Sequence, residues 1–363
     1  MNKSLLSESF SVYWYLTYKC NLKCKHCWVE SSPTVDSEDK LSLSEVKNVL
    51  EQFKRANITN IAFSGGEPLL MKNIVDIINE TNKHNIHYAF ETNAILIDEQ
   101  IIGAVNRRKY KNNEAVFIIS LDGSTENYHD YLRGKGSFKK TVNQIFKLQK
   151  NNIPYSIQCV INKQNIHNVK EIIAFSKKLK PTNLTFAFLQ PVGRAVSNLN
   201  NLELNKEDIV EVIKYINNAS FIEDIDFTIK VKIQPAVVPS NIMTELKKSS
   251  KIEIVTNCDF PKIGILDNGD ITICSLSKHS IRFGNIRKVN LKELINNEFI
   301  PMRRSYNDLN LQGICGECIF KIKCKGSCRV MAFCEDNCMN SAHPFCSELD
   351  RLNEFPDYYK VNS

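Results

Sequence analysis

The chain has 363 residues, 43% of them hydrophobic and 9% aromatic, which is enough apolar material for a large domain with a smaller one and excludes a disordered protein. The formal net charge is +7, but no basic run with interleaved aromatic residues accompanies it, so we expect no nucleic-acid partner. Because the N-terminus lacks the apolar run of a signal peptide and no stretch reaches the roughly 18 apolar residues of a membrane span, we expect a cytoplasmic protein with no membrane partner.

Short β-like segments alternate with helical patterns from residue 11 to about residue 190. The segments are rich in β-branched and aromatic residues and mostly apolar throughout, which is typical of parallel strands buried on both faces. The first helix carries a capping box, with Ser42 three residues before Glu45. Strands are predicted at 11–17, 60–63, 86–90, 115–120, 155–161 and 183–189, and further helices near 73–84, 98–107, 138–150 and 168–179.

Six strand–helix repeats predict a parallel α/β sheet with right-handed crossovers, either open or curled into part of a barrel. We expect a short N-terminal extension at 1–10, the repeats at 11–195 and a connector at 196–250. The distribution of cysteines sets the last segment, 251–363, apart as a distinct module.

The polar and glycine-rich motifs all follow predicted strands. They are the cysteine segment 20–27 and "SGGEP" (64–68), "ETN" (91–93), "SLDG" (120–123) and "QPVGRA" (190–195). Because the carboxyl ends of parallel strands meet at one edge of a sheet, and the chemistry of such sheets lies there, we expect these motifs to form one site.

Cysteines are the most informative residue type in this chain. Of thirteen, three lie at 20, 24 and 27, Cys159 stands alone, and nine follow residue 257. In a reducing compartment such clusters ligate metal or do redox chemistry more often than they form disulfides, and thiolates suit zinc or an iron–sulfur cluster. A closed zinc site needs four ligands, and His26 is badly placed to be the fourth. Three cysteines on a cubane cluster would leave one iron open; the alternatives are buried thiols or a zinc site completed from elsewhere.

The segment "CNLKCKHC" (20–27) resembles the CxxxCxxC signature of the radical S-adenosylmethionine (radical SAM) enzymes, and "SGGEP" resembles the second motif of that family. The resemblance implies a [4Fe-4S] cluster on Cys20, Cys24 and Cys27, whose open iron chelates the amino and carboxylate groups of S-adenosylmethionine. One electron from the cluster then gives a 5′-deoxyadenosyl radical.

The same resemblance implies the residues that bind S-adenosylmethionine: Ser64, Gly65, Gly66, Glu67, Pro68, Asn93, Ser120 and Arg133. The glycines would let the backbone approach the methionyl ammonium, and Glu67 would offer it a negative charge. Ser120 and Arg133 would contact the methionyl carboxylate, although a helix-capping serine and a surface arginine are equal alternatives. Ala94 follows Asn93 where the family often has glycine.

The C-terminal cysteines resemble the seven-cysteine pattern of the SPASM extension, which binds auxiliary clusters in related enzymes. The pattern reads Cys258, ten residues, Gly269, four residues, Cys274, then Cys315-x2-Cys318-x5-Cys324-x3-Cys328, then Cys346. It implies two auxiliary [4Fe-4S] clusters, one on Cys315, Cys318, Cys324 and Cys346, the other on Cys258, Cys274 and Cys328 with an open site. A pair of zinc ribbons is the alternative. Cys334 and Cys338 lie outside the pattern and are spare ligands, hydrogen-atom donors or buried thiols.

The resemblance therefore implies a partial (βα)6 barrel of parallel strands with a C-terminal cysteine-rich iron–sulfur domain. It implies a peptide maturase that acts on a peptide or small protein, most readily to form a thioether or carbon–carbon crosslink, with a flavodoxin or ferredoxin as electron donor. Alternatives are an epimerase that uses Cys334 or Cys338 as hydrogen donor, small-molecule chemistry such as porphyrin decarboxylation, and a non-catalytic zinc or electron-transfer protein. Ser275, directly after Cys274, disfavours a sulfatase-type maturase, in which that position holds aspartate.

Overall fold

A computed structural model of the chain describes residues 10–35, 39–84, 86–107, 115–217, 224–246, 248–256, 260–274 and 281–361. In these ranges ten strands form a single sheet in the order β10-β9-β1-β2-β3-β4-β5-β6-β7-β8. The strands are β1 (Phe10–Thr17), β2 (Ile58–Gly65), β3 (His87–Thr92), β4 (Ala115–Ser120), β5 (Tyr155–Ile161), β6 (Asn183–Phe188), β7 (Thr228–Lys232), β8 (Ile252–Val255), β9 (Ile263–Ile265) and β10 (Ile271–Thr272).

Strands β1 to β8 run parallel to their neighbours, and β9 adds a further parallel strand beside β1. Only β10 is antiparallel, to β9. Since β8 and β10 lie at opposite edges, the sheet is open, as expected of a partial barrel. The six predicted strands are confirmed as β1 to β6, each with ends within two residues of the prediction.

Helices follow the first six strands and cover one face of the sheet. Those of the barrel are α1 (Leu43–Arg55), α2 (Ile74–Thr81), α3 (Glu99–Asn106), α4 (Glu126–Arg133), α5 (Ser137–Lys150) and α6 (Val169–Leu179), and then α7 (Leu199–Leu202), α8 (Lys206–Asn217) and α9 (Ser240–Leu246). The predicted capping box is confirmed, because the Ser42 side chain accepts from the Glu45 backbone N–H and the Glu45 carboxylate accepts from the Ser42 N–H.

The C-terminal module adds short helices: α10 (Leu291–Leu294), α11 (Ile300–Asn307), α12 (Gly313–Glu317), α13 (Lys321–Cys324), α14 (Arg329–Asp336) and α15 (Pro344–Arg351). Strands β7 to β10 come from the predicted connector and from this module, yet they join the same sheet. The domain boundaries at 195 and 250 stay a prediction, and the sheet continues across both.

An aromatic row runs across the helix-covered face of the sheet. The row consists of four side chains that are each 0% exposed, those of Trp14, Phe63, Phe90 and Phe117. The centroids of neighbouring rings lie 5.0 to 5.8 Å apart. Offset aromatic pairs at such distances stabilise a core beyond the area they bury. This row fixes the register of the first four strands.

The opposite face of the sheet is only half-buried, so the prediction of strands buried on both faces is wrong. Tyr13, Ala89, Glu91 and Gln158 alternate with buried neighbours along their strands and are half-buried. Strands with one covered face show this alternation. The open sheet thus presents a second, partly polar surface beside the strand ends.

Among the described residues, no helix is long and apolar enough to cross a membrane. The twelve cysteines in the described ranges are all free thiols.

The end of β2 packs directly on the backbone that follows β1. The Gly66 N–H donates to the Thr17 carbonyl at 2.6 Å, and the Glu67 N–H donates to the Lys19 carbonyl at 2.9 Å. A Cβ at Gly66 would overlap the Lys19 carbonyl oxygen, and that oxygen belongs to backbone that cannot rotate away. Glycine at 66 therefore lets the strand end and the cysteine segment meet.

We expect Gly66→Ala to lower the free energy of unfolding by about 1–3 kcal/mol or more, because the methyl group must displace backbone. Gly103→Ala is the matched control. Its Cβ would meet only the Arg107 side chain at 3.6 Å in the middle of α3, where alanine gains about 0.5–1 kcal/mol over glycine. Equilibrium urea unfolding followed by circular dichroism measures both changes. A Gly66→Ala protein as stable as Gly103→Ala would contradict this packing.

Candidate active site

The segment with Cys20, Cys24 and Cys27 leaves the carboxyl end of β1 and forms a loop at that edge of the sheet. Cys20 and Cys24 are each 8% exposed, and Cys27 is half-buried. The Cys20 N–H donates to the Ser32 carbonyl at 3.1 Å, and the Cys27 N–H donates to the Cys24 carbonyl at 3.3 Å. The loop is therefore closed on itself by backbone hydrogen bonds, with three thiols in one place.

The segment after β6 holds this loop from the far side. The Arg194 guanidinium donates to the carbonyls of Cys24 and Ser31, both at 2.7 Å, and its backbone N–H donates to the Cys27 carbonyl at 2.9 Å. Asn198 donates to the Lys25 carbonyl at 3.2 Å. Sequence reasoning placed this segment at the site but did not single out Arg194. The signal available was an arginine in "QPVGRA", directly after a strand.

The Glu67 carboxylate is wholly buried, and its oxygens accept hydrogen bonds from other groups of the protein. It accepts from the Thr92 hydroxyl at 2.7 Å, the Asn93 N–H at 2.9 Å and the Leu69 N–H at 3.1 Å. Burial raises its pKa to about 7, against the effect of these hydrogen bonds. Glu67 thereby ties the end of β2, and the short turn that begins at Pro68, to the end of β3.

Asn93 reaches from the end of β3 to the cysteine loop. Its side-chain amide N–H donates to the Asn21 side-chain oxygen Oδ1 at 2.8 Å and lies 4.0 Å from the Cys20 sulfur. The next residue, Ala94, is buried and has a φ of +66°, a backbone conformation that glycine adopts without strain. The positive φ at this position is therefore a geometric reason for the glycine that the family often has there.

Two further predicted residues lie on the half-buried face of the sheet. Ser64 donates to the Glu91 carboxylate at 2.7 Å, and the Tyr13 hydroxyl donates to the other Glu91 oxygen at 3.0 Å. Ser120 is half-buried at the last position of β4. Both side chains are near the strand ends, where the motifs meet.

Arg133 lies beside the cysteine loop, paired with an aspartate. Its Nε donates to Asp122 at 2.6 Å, its Nη2 lies 3.3 Å from the His26 ring, and its Nη1 lies 4.0 Å from the Cys24 sulfur. Burial opposes the charge, but Asp122 raises the pKa of Arg133 above its usual range. The surface alternative is wrong, since the Arg133 side chain is 10% exposed.

Asp122 is the centre of a buried polar network that the sequence did not indicate. Its second oxygen accepts from the Val160 N–H at 2.9 Å, and its own N–H donates to His129 Nδ1 at 3.2 Å. In the described part of the chain, His26 Nδ1 and His129 Nε2 are buried without a hydrogen-bond partner. The "SLDG" motif pointed to this strand end, but the partners lie on α4 and β5.

The buried thiols of the loop have the properties of metal-cluster ligands. Burial raises the pKa of Cys20 to about 12 and that of Cys24 to about 11, with Arg133 acting against the shift of Cys24. Free thiols here stay protonated at neutral pH, and a bound metal would replace those protons. Three soft sulfur donors fit an iron–sulfur cluster with an open iron. In the described ranges no three His, Cys, Asp or Glu side chains are spaced to hold a single metal ion.

In the C-terminal module the structure brings together all four cysteines predicted for one auxiliary cluster. A single cavity is lined by Cys315, Cys318, Cys324 and Cys346. The Cys315 sulfur accepts from the His343 N–H at 3.3 Å, and the Cys318 sulfur accepts from the Phe320 N–H at 3.4 Å. A hydrogen bond with Cys346 lowers the pKa of Cys315 to about 6, and Arg329 contributes in the same direction. The donor set fits a four-cysteine cluster.

The second predicted set is partly visible. Cys274 and Cys328 both pack against one apolar cluster that contains Phe260, Tyr306 and Val330, so they share a location. Cys258 lies outside the described residues. Cys334 is exposed and Cys338 is half-buried, and neither lines the cavity of the four cysteines.

Family models match both parts of the chain. The model of the radical SAM superfamily matches residues 14–176, and that of the SPASM iron–sulfur cluster-binding domain matches residues 258–319. This chain contains a radical SAM domain followed by a SPASM domain. Radical SAM domains bind a [4Fe-4S] cluster and S-adenosylmethionine, and SPASM domains bind auxiliary iron–sulfur clusters, so this radical SAM protein is an enzyme with those cofactors.

Similar curated proteins are named for different activities. An AdoMet-dependent heme synthase of Methanosarcina barkeri is 24% identical over 348 residues, which cover 92% of this chain and 95% of that protein. Mycofactocin maturase MftC of Mycolicibacterium smegmatis is 28% identical over 203 residues, which cover 56% of this chain and 50% of that protein.

Solved structures share the fold of this radical SAM protein. Streptococcus suis SuiB bound to S-adenosylmethionine has a TM-score of 0.71 at 17% identity, over 94% of this chain and 77% of SuiB. Native anSMEcpe with bound AdoMet has a TM-score of 0.69 at 21% identity, over 95% of this chain and 96% of that one. At these identities the likeness concerns the fold alone.

We expect Arg194→Ala to lower the iron that the purified protein retains, because two carbonyls of the cysteine loop lose their donors. Each lost charged hydrogen bond costs about 1.5–3 kcal/mol. Arg107→Ala is the control, since the side chain of that exposed arginine donates to Asn79 at 3.2 Å and, within the described ranges, to no residue of the cysteine loop. Iron per chain after anaerobic gel filtration checks the result. Equal iron in both variants would mean that Arg194 does not hold the loop.

Stability should fall as the pH drops from about 6.5 to 4. Burial lowers the pKa values of His26, His129 and His343 to about 4 from an ordinary value of 6.5. In that window the unfolded state binds more protons than the folded state, so acid favours unfolding.

The test is His129→Asn, in which the amide oxygen can still accept from the Asp122 N–H. We expect thermal midpoints measured between pH 4 and 7 to fall less steeply in this variant, by about one proton taken up on unfolding. His167→Asn is the control, because the His167 side chain is 68% exposed. An unchanged slope in His129→Asn would show that His129 is not held neutral by the fold.

Proposed function

We propose that this protein is a radical SAM/SPASM peptide maturase that removes a hydrogen atom from a ribosomally made peptide and leaves a thioether or carbon–carbon crosslink. The observation that carries the proposal is the open, half-buried face of the sheet next to the cysteine loop. A closed barrel would admit only a small molecule, whereas an open sheet has room for an extended chain. The similarity to mycofactocin maturase MftC and the shared fold with SuiB, which has also been solved with its precursor peptide SuiA, support it.

Cys20, Cys24 and Cys27 hold the cluster in this proposal, and the ends of β2, β3 and β4 surround it. When bound, the cluster and S-adenosylmethionine supply a 5′-deoxyadenosyl radical that removes hydrogen from a substrate carbon. Glu67 positions the end of β3, and Arg194 fixes the cysteine loop. Ser120 and Arg133 stay candidates for the methionyl carboxylate.

The half-buried face offers the substrate small and polar side chains. Ala62, Ala89 and Ala187 leave space along three strands, and Gln158 presents an amide near the strand ends. Glu91, held by Tyr13 and Ser64, places one fixed negative charge on the same face. Such groups can hydrogen-bond to the amides of a peptide backbone.

We further propose that an electron donor of the flavodoxin or ferredoxin type reduces the enzyme in the cytoplasm.

Co-expression tests the proposal. Peptides encoded beside the gene are produced with the wild-type enzyme and with Cys24→Ala, then analysed by mass spectrometry. We expect a loss of two hydrogens with the wild type alone, since Cys24→Ala removes one proposed ligand of the cluster. One hydrogen would leave as an atom in 5′-deoxyadenosine, and the other as a proton whose electron an auxiliary cluster would accept.

The same reaction in deuterium oxide separates the crosslink from its rival. Deuterium at a Cα without loss of two hydrogens would show epimerisation instead, with Cys334 or Cys338 as candidate donors. Reduced, cluster-loaded protein that releases no 5′-deoxyadenosine from S-adenosylmethionine would contradict both activities.

Heme synthesis is the second candidate, favoured by one observation. The heme synthase of Methanosarcina barkeri matches over nearly the whole of both chains, SPASM domain included. Conversion of a heme precursor by the purified enzyme, with every peptide left unchanged, would decide for this activity.

A further inference from the structure

Arg329 is a buried cation in the C-terminal module. It directly follows Cys328, begins helix α14 and is 1% exposed, among the largest fully buried side chains of the protein. Its Nη1 donates to the carbonyls of Ser341 at 2.6 Å and Met339 at 3.0 Å, and its Nη2 donates to the Gly326 carbonyl. The guanidinium is thus held in one position by backbone alone.

Arg329 pairs with no carboxylate in the ranges that the structure describes. Its Nη groups donate to backbone carbonyls alone, and its Nε–H is buried without a partner. Arg133, by contrast, is paired with Asp122 at 2.6 Å. Burying a charge without a counter-charge is unfavourable, because burial removes the water that would otherwise stabilise it.

The two predicted sets of cluster ligands flank this cation. Gly326 lines the cavity of Cys315, Cys318, Cys324 and Cys346, and a Cβ at Gly326 would overlap the Arg329 guanidinium. One glycine therefore separates the charge from that cavity. On the other side, Cys328 is its neighbour in the chain, at the N-cap of α14.

We propose that Arg329 is the shared counter-charge of the two auxiliary clusters and raises their reduction potentials. Cysteine thiolates give each ligated cluster a net negative charge, which supplies the missing partner of the guanidinium. Adding an electron makes a cluster more negative, so a fixed cation nearby favours the reduced form. Arg329 is a positioning residue that acts through the electrostatic field, and the inference rests on the proposed ligation of these clusters but not on the substrate.

The test uses the full chain with Cys20, Cys24 and Cys27 changed to alanine, so that the remaining iron belongs to the SPASM domain. In this background Arg329→Gln, Arg329→Lys and Arg351→Gln are compared. Arg351→Gln removes the same charge from the surface, where Arg351 is 67% exposed and pairs with Glu348. The readouts are iron per chain and redox titration followed by electron paramagnetic resonance.

We expect Arg329→Gln to make the auxiliary clusters about tenfold harder to reduce, a downward shift of about 59 mV for one electron. Arg329→Lys should restore most of the shift, and Arg351→Gln should leave the potentials unchanged. Full iron with unchanged potentials in Arg329→Gln would overturn the proposal.

Iron content decides the remaining outcomes. If Arg329→Gln loses auxiliary iron while Arg329→Lys keeps it, the clusters require the charge, which supports the proposal. If both variants lose iron equally, the carbonyl hydrogen bonds alone matter and the proposal is wrong. Cys324→Ser in the same background checks the ligation separately: if it leaves iron and spectra intact, the ligand assignment fails, whatever Arg329 does.

Discussion

The site depends on one constraint: the cysteine loop must offer its sulfur atoms to a cluster and still have its backbone groups hydrogen-bonded. In the proposed ligation Cys20, Cys24 and Cys27 bind the cluster, so their side chains cannot also stabilise the loop. Its backbone is therefore held from outside, by the N–H groups of Gly66 and Glu67 on one side and by Arg194 on the other. If several of these buried backbone groups lacked hydrogen-bond partners, the free-energy cost would be comparable with the net free energy of unfolding of a typical protein.

Much of this arrangement could be predicted from the sequence, because it depends on local patterns. Strand positions follow from β-branched and aromatic runs, and the resemblance of the cysteine pattern to known families implies which cysteines share a cluster. The rule that parallel strands end at one edge then placed five motifs together. Each of these inferences needs only residues that are close in the chain.

The parts that could not be predicted are contacts between distant residues. Two of the three partners of the Glu67 carboxylate lie 25 and 26 residues away, and Arg194 contacts Cys24 across 170 residues. Nothing in "SLDG" shows that Asp122 will face an arginine on α4 and a histidine from the cysteine loop. The half-buried face could not be predicted from the apolar runs either, since alanine is apolar whether it is buried or exposed.

Similar folds here accompany different substrates. A fold places a reactive centre at the strand ends, and the side chains of the half-buried face decide what reaches it. This explains why relatives named for heme synthesis and for peptide maturation match the same chain. In the proposed function, side chains such as Glu91 and Gln158 on the half-buried face make that distinction.

The open sheet has a consequence for solubility at high concentration. Edge strands expose unpaired backbone groups that can join the edge of another molecule and start aggregation. Both edges here are short, four residues in β8 and two in β10, and β8 carries the charged Glu253 opposite Lys230. The two strands at the open edges of the sheet therefore expose few backbone groups with which a second molecule could form hydrogen bonds.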